Sequence, residues 1–244
     1  PAQTRRPARA SDFFWYGRWS DARHEFLRAR ALLDPADRAA REEIDYYLAA
    51  CAVELGGDDA EGALRDFERR HPGSVYANDV RFSLGSYYCA MGNMPLAREA
   101  FERTEYKALS APRREQYDIR MGYVEFTQGD YAAAYDRFSR IGSRSEYADH
   151  ALYYRSYIDY AEGRYDRAKD GFMQLMRSDA YRDLVPFYLL QIEFRNGNYR
   201  YVVDHGEELV RKAVPERQAE LERVIAESWF RLDNYNAANE HRDR

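Results

Sequence analysis

Five histidines are the first residues to consider for chemistry: His24, His71, His150, His205 and His241. Imidazole serves as a general base or a metal ligand near neutral pH. None of the five pairs at metal-ligand spacing, and no His-Glu-x-x-His run occurs. Acid pairs such as Asp58-Asp59 and Glu207-Glu208 are neighbours along the chain and point in different directions on a helix. They read as solvated caps or faces, not as a general acid and its base. The two cysteines, Cys51 and Cys89, have neither metal-ligand spacing nor the density of a disulfide framework. No Gly-x-Ser-x-Gly elbow and no phosphate-cradling glycine loop is present. The expectation is a chain without catalytic residues, metal or cofactor.

Composition sets outer bounds. The 244 residues are 45% hydrophobic and 32% charged, enough for a substantial core built from helices with one wet face. Tyrosine occurs 22 times, a residue that covers apolar area while keeping a polar tip in water. A net charge of −5 argues against nucleic acid as the default partner. No run of apolar residues is long enough to cross a membrane as a helix. Residues 1–11 read as a flexible basic leader carrying Arg5, Arg6 and Arg9. It is either the start of a mature chain whose export signal was removed or an arbitrary boundary. The leader reads as a solvated tail, with contact to anionic lipid as the functional alternative.

A period organises everything else. Gly92-Asn93-Met94, Gly129-Asp130-Tyr131, Gly163-Arg164-Tyr165, Gly197-Asn198-Tyr199 and Asp233-Asn234-Tyr235 align, with third members 37, 34, 34 and 36 residues apart. Gly17-Arg18-Trp19 is an earlier copy, and Gly56-Gly57 a degenerate one. Small residues follow the large one at a fixed offset (Ala22, Ala97, Ala134, Ala168), then Phe26, Phe101, Phe138 and Phe172. These spacings are helical. Each unit reads as two antiparallel helices around a left-handed glycine turn. The pairs expected are 37–55 with 59–70, 75–91 with 94–106, 112–128 with 131–140, 146–162 with 165–176, 180–196 with 199–212, and 217–232 with a final helix from 235. Asp34-Pro35 reads as an N-cap and first helical residue. Cys51 and Cys89 fall at equivalent places on adjacent helices whose axes should lie about 8–10 Å apart, beyond disulfide reach, so two free and mostly buried thiols are expected.

These residues resemble the tetratricopeptide (TPR) repeat: Leu84-Gly85-x-x-Tyr88, then Gly92, Ala97 and Phe101, and again Met121-Gly122, Gly129-Asp130-Tyr131, Ala134 and Phe138. The resemblance covers residues 12–244, about six repeats plus partial terminal units. It implies an all-α solenoid, a right-handed superhelix of antiparallel helix pairs whose first helices line a concave groove that binds peptides or protein segments. The stretch 71–77 resembles bacterial envelope TPR proteins of the Tol–Pal coordinator and outer-membrane assembly lipoprotein type. That implies a periplasmic or outer-membrane-associated location, with the cytoplasm as alternative. The pattern departs in places. Arg81 and Asp118 stand where the repeat's tryptophan is usual, and Gly206 and Arg242 replace the bulky wedge residue.

By the same resemblance, Tyr153, Tyr157 and Tyr160, at i, i+4 and i+7 of one helix, face the groove. Ile119, Tyr123 and Phe126 precede them, Phe187, Gln191 and Phe194 follow, and Arg120 and Arg195 border the stripe. Such a stripe either holds an apolar or amphipathic peptide or packs helix against helix. The Lys and Asn pair with which one TPR subclass clamps a chaperone's C-terminal carboxylate is absent. The expected function is a non-catalytic scaffold for a protein or peptide partner. The alternatives are a self-associating solenoid joined through its array ends and a helical regulatory segment of a larger, enzyme-containing protein. The short polar C-terminal stretch reads as a cap or as the place where a longer array was cut.

Overall fold

The computed structural model describes residues 18–242, the side chains of 234–242 excepted. The expected leader 1–11, the first-helix tail from residue 12 with Gly17, and the side chains of His241 and Arg242 lie outside the described residues. Twelve α-helices run in chain order: α1 (Trp19–Leu32), α2 (Arg38–Glu54), α3 (Ala60–Arg70), α4 (Ala77–Ala90), α5 (Met94–Glu102), α6 (Ala111–Thr127), α7 (Tyr131–Ser139), α8 (Ala148–Ala161), α9 (Tyr165–Leu175), α10 (Val185–Arg195), α11 (Tyr199–Lys212) and α12 (Pro215–Arg242). One 3₁₀ turn, Tyr106–Ala108, precedes α6, and the described residues contain no strand.

The turns follow from glycine. Gly56, Gly92, Gly129, Gly163 and Gly197 have φ between 63 and 80°, and no other described residue has a positive φ. This left-handed backbone closes the first helix of a pair: Gly92 N–H donates to the Cys89 carbonyl at 3.1 Å and Asn93 N–H to Tyr88 at 2.9 Å. The next residue opens the second helix, as where the Asn93 side chain accepts from Leu96 N–H.

Three expectations are corrected by the same chemistry. No turn forms at Asp233-Asn234-Tyr235: α12 is one helix of 28 residues, because the glycine that permits the left-handed backbone is missing there. Asp34-Pro35 lies in a turn before α2. Asp34 accepts from Ala36 N–H, and the N-cap is Asp37, which accepts from Ala40 N–H at 3.1 Å. The first helix expected from residue 180 starts at Val185, with Pro186 in its first turn, where the missing N–H has no helical partner to lose.

The chain forms two compact units, residues up to Arg137 and residues from Phe138 on. In the first, Phe26 fills the space between α1 and α2 with Ile44, Ala22 and Cys51. Phe101, fully buried, sits among Leu84, Tyr117 and Met121. A methyl group on Gly85 would lie 2.6 Å from Cδ1 of Phe101, so the α4–α5 approach requires glycine. In the second unit, Phe172 packs with Ala168, Val185, Tyr188 and Ile192. A second cluster joins Leu190, Val202, Leu221, Val224 and Ile225. Gly206, which stands in place of the bulky wedge residue, is filled from the other side: a Cβ there would meet Ile225 of α12 at 2.5 Å.

Candidate protein-binding surface

The aromatic surface is built on a sequence pattern that the helical stripe alone does not reveal. A tyrosine follows each central wedge phenylalanine by 16 residues: Phe101/Tyr117, Phe138/Tyr154 and Phe172/Tyr188. Each pair spans the step from a second helix to the following first helix. Ring centroids are 5.3, 5.1 and 4.6 Å apart, the first pair edge-on and the other two stacked. This spacing was legible and identifies Tyr188, which the stripe reading missed.

Tyr188 is the hub of the second unit. Its hydroxyl lies 2.9 Å from that of Tyr153. The rings of Tyr157 and Tyr160 stand edge-on to it at 6.0 and 6.1 Å, and Phe187 does so at 5.4 Å. Burial drives the Tyr188 pKa up, and the hydrogen bond with Tyr153 adds to the shift. Tyr153 also stacks on Tyr181 at 4.8 Å, whose pKa burial pushes up to about 12. The inner edges of Tyr153, Tyr157 and Tyr160 therefore serve helix packing. All three remain half-buried, as does Phe187.

The other residues of the expected stripe divide by burial. Ile119 is buried and presents no surface. Tyr123 is half-buried, and Phe126, also half-buried, stacks on Tyr131 at 5.4 Å. Arg120 donates to the Ser86 hydroxyl at 2.8 Å and lies 5.6 Å from the Phe82 ring centre, tying α6 to α4. Exposed Arg195 stands near Tyr160 and acts to lower its pKa, which burial nonetheless raises. Gln191 is only 3% exposed, and its Nε2 has no hydrogen-bond partner. Arg155 Nε is the other such buried atom among the described residues. On α12, the Arg217 guanidinium lies 4.8 Å from the Phe187 ring centre.

The buried acids carry no open chemistry. Glu125, Asp159 and Glu193 recur four residues before a turn glycine, and each meets a cation. Arg137 Nε donates to both Glu125 oxygens at 2.8 and 2.9 Å. Arg164 donates to Asp159 at 2.6 Å, and Lys169 to Glu193. Burial pushes the Glu125 carboxyl up, with Arg137 opposing. Burial acts the same way on Glu193, but Lys169 and Asn198 outweigh it, and that carboxyl is held low. Asp118 accepts from the Tyr106 hydroxyl at 2.6 Å, and Arg81 pairs with Glu68 at 2.9 Å, so polar links stand where the repeat's tryptophan is usual.

Histidines and cysteines also have structural surroundings. His71 Nε2 lies 3.1 Å from Asp45, His150 pairs with the Tyr181 hydroxyl, and His205 Nδ1–H donates to the Tyr201 carbonyl at 2.9 Å. Cys51 is buried and Cys89 half-buried, and both are free thiols. Burial pushes the Cys51 pKa up to about 11. A cavity of about 250 Å³ opens in the first unit over Leu48, Ala49 and Phe67. Its rim charges satisfy one another: Arg23 with Asp59, Arg30 with Asp45 and Arg70 with Asp66. Among the described residues, no group of three or more His, Cys, Asp or Glu could hold a metal ion, and no helix is long and apolar enough to cross a membrane.

No protein-family model matches the sequence, and no curated protein matches it. Solved structures do. A tetratricopeptide repeat protein from Parabacteroides merdae superposes with a TM-score of 0.58 at 14% identity, covering 96% of this chain and 92% of that one. The TPR2AB domain of yeast Sti1, in its complex with pHSP90, gives a TM-score of 0.40 at 14% identity over 93% of this chain and 98% of that one. With the glycine turns and the sequential helix pairs, the first of these likenesses establishes the architecture: this chain has an all-α, tetratricopeptide-like fold.

Proposed function

We propose that this chain is a non-catalytic scaffold that binds a segment of another protein through an aromatic groove lined by its first helices. The observation that carries this reading is the state of the aromatic rings. Tyr157, Tyr160 and Phe187 in the second unit pack edge-on to Tyr188, Phe126 in the first stacks on Tyr131, and each of these, like Tyr123, stays half-buried. Rings held rigid in this way offer contact area at little further entropy cost on binding. Every buried carboxylate described above is engaged by a structural partner. The envelope location rests on the resemblance of residues 71–77 alone.

Panning short peptides of random sequence against the immobilised full chain tests the scaffold reading. The expected outcome is a set of binders that protect α6, α8 or α10 from hydrogen exchange and that lose affinity in Tyr123→Ala with Tyr157→Ala. Failure to enrich any peptide, or protection confined to second helices, would sink it. Because Tyr157 also packs on Tyr188, Tyr157→Phe is the control: it preserves the ring contact and the binding face.

A further inference from the structure

Trp229 and Phe230 of α12 are 48 and 65% exposed, and the repeat marks this as unusual. Trp229 stands four residues before Asp233, as Tyr88, Glu125, Asp159 and Glu193 stand four before Gly92, Gly129, Gly163 and Gly197. All four of those residues are buried. The three acids are met there by the helix after the turn or by its first residues: Glu125 by Arg137 of α7, Asp159 by Arg164 at the start of α9, and Glu193 by Asn198 at the start of α11. Phe230 departs in the same way, since Cys89, Phe126, Tyr160 and Phe194 at its position are half-buried. Among the described residues no helix follows α12. It runs unbroken from Pro215 to Arg242, so its own second half continues along the axis and cannot turn back over Trp229.

The sequence of that second half is nonetheless patterned as a covering helix. Tyr235 follows Asp233 by two residues, as Met94, Tyr131, Tyr165 and Tyr199 follow their glycines. Ala238 comes three residues later, as Ala97, Ala134 and Ala168 do. A first helix and a segment patterned to cover it are thus joined end to end without a reversal. Two copies of such a helix, antiparallel about a two-fold axis with axes about 8–10 Å apart, satisfy both patterns. The second half of each lies on the first half of the other, in the antiparallel relation of a helix pair. Exchange of an identical element between protomers needs no new kind of contact.

We propose that α12 pairs two copies of this chain by exchange, with residues 235–242 of each lying over Trp229 and Phe230 of the other. The occupant is a second copy because the covering pattern belongs to the chain itself. Each of the four rings has about 75–125 Å² left to bury. With the surfaces that cover them the total is about 600–1,000 Å², at the low end of specific interfaces, which makes this a micromolar dimer. The pairing goes beyond the scaffold reading and is independent of it.

Size-exclusion chromatography with light scattering on the full chain tests this pairing. Wild type should show twice the mass of one chain at high micromolar concentration and dissociate on dilution. Trp229→Lys with Phe230→Lys spoils the covered face, and Tyr235→Glu with Ala238→Glu spoils the cover. Each variant alone should be monomeric, with its helicity by circular dichroism retained. Mixed one to one, the two should dimerise, because the intact cover of the first meets the intact face of the second, and the other contact sets lysine against glutamate. A monomeric wild type would overturn the proposal. So would a dimer that survives either double substitution, or a mixture that stays monomeric. Wild-type hydrogen exchange provides a check without substitutions: raising the concentration should slow exchange within α12, and slowing confined to other helices would also overturn the pairing. None of these outcomes touches the scaffold reading, which falls only if the peptide panning fails.

Discussion

Gln191, in the second unit, is only 3% exposed and lies beside Glu220, whose charge it helps to hold. His150 supplies a pH signature in the same unit. Burial holds its pKa below the ordinary 6.5, so the unfolded chain takes up the proton first. Stability from this site is complete above pH 6.5 and is lost as pH falls toward the lowered folded value. His150→Phe should flatten that limb of the curve. Glu193 has the corresponding effect at lower pH: its carboxyl is held low, so its contribution is present above about pH 4.3 and disappears as pH falls through the depressed folded value. Glu193→Gln should lose that contribution at neutral pH and show a shallower acid transition. At this scale the sequence was half legible. The acids before the turn glycines and the tyrosines 16 residues after the wedge phenylalanines are periodic and could be counted. The placement of Gln191 beside Glu220 could not, because it depends on how α12 packs against α10.

Helix pairs are set by two glycine roles that substitution separates. Gly163 has φ of 80°, and alanine there takes a left-handed strain of about 1–2 kcal/mol with open space around the new methyl group. Gly85 is ordinary in backbone but pressed on Phe101, and Gly85→Ala should cost about 1–3 kcal/mol by overpacking. Chemical denaturation of the two variants checks both figures. Helices were legible wherever a glycine marked the turn. They were misplaced where a polar pair imitated one: Asp233-Asn234 matches the string but lacks the residue that can reverse the chain. The start of α10 was misread for a related reason, since periodicity runs smoothly through 180–184 and only Pro186 fixes where the helix begins.

Across the molecule, each packed cluster described above joins elements near one another in sequence, the arrangement in which stability is a sum of local and nearest-neighbour terms. Phe101→Ala removes a fully buried ring, at a cost of about 3–5 kcal/mol. Hydrogen exchange should speed up throughout α4–α6 while α10–α12 keep their protection. Uniform acceleration over both units would show a single cooperative block instead. The fold class was legible because six copies of one weak pattern reinforce one another. The half-buried aromatic cluster was legible only in part, because Tyr188 lies on a different helix from the stripe that packs on it.

The uninterrupted α12 also bears on how the gene can vary. Its 28 residues span about 42 Å, twice the length of α11, and its second half begins with exposed Trp229 and Phe230. Asp233 stands where the other turns carry glycine, and both aspartate codons become glycine codons by one transition at the second base. A single nucleotide therefore supplies the one residue type that every described left-handed turn of this chain uses, although Gly85 and Gly206, both mid-helix, show that a glycine by itself does not end a helix.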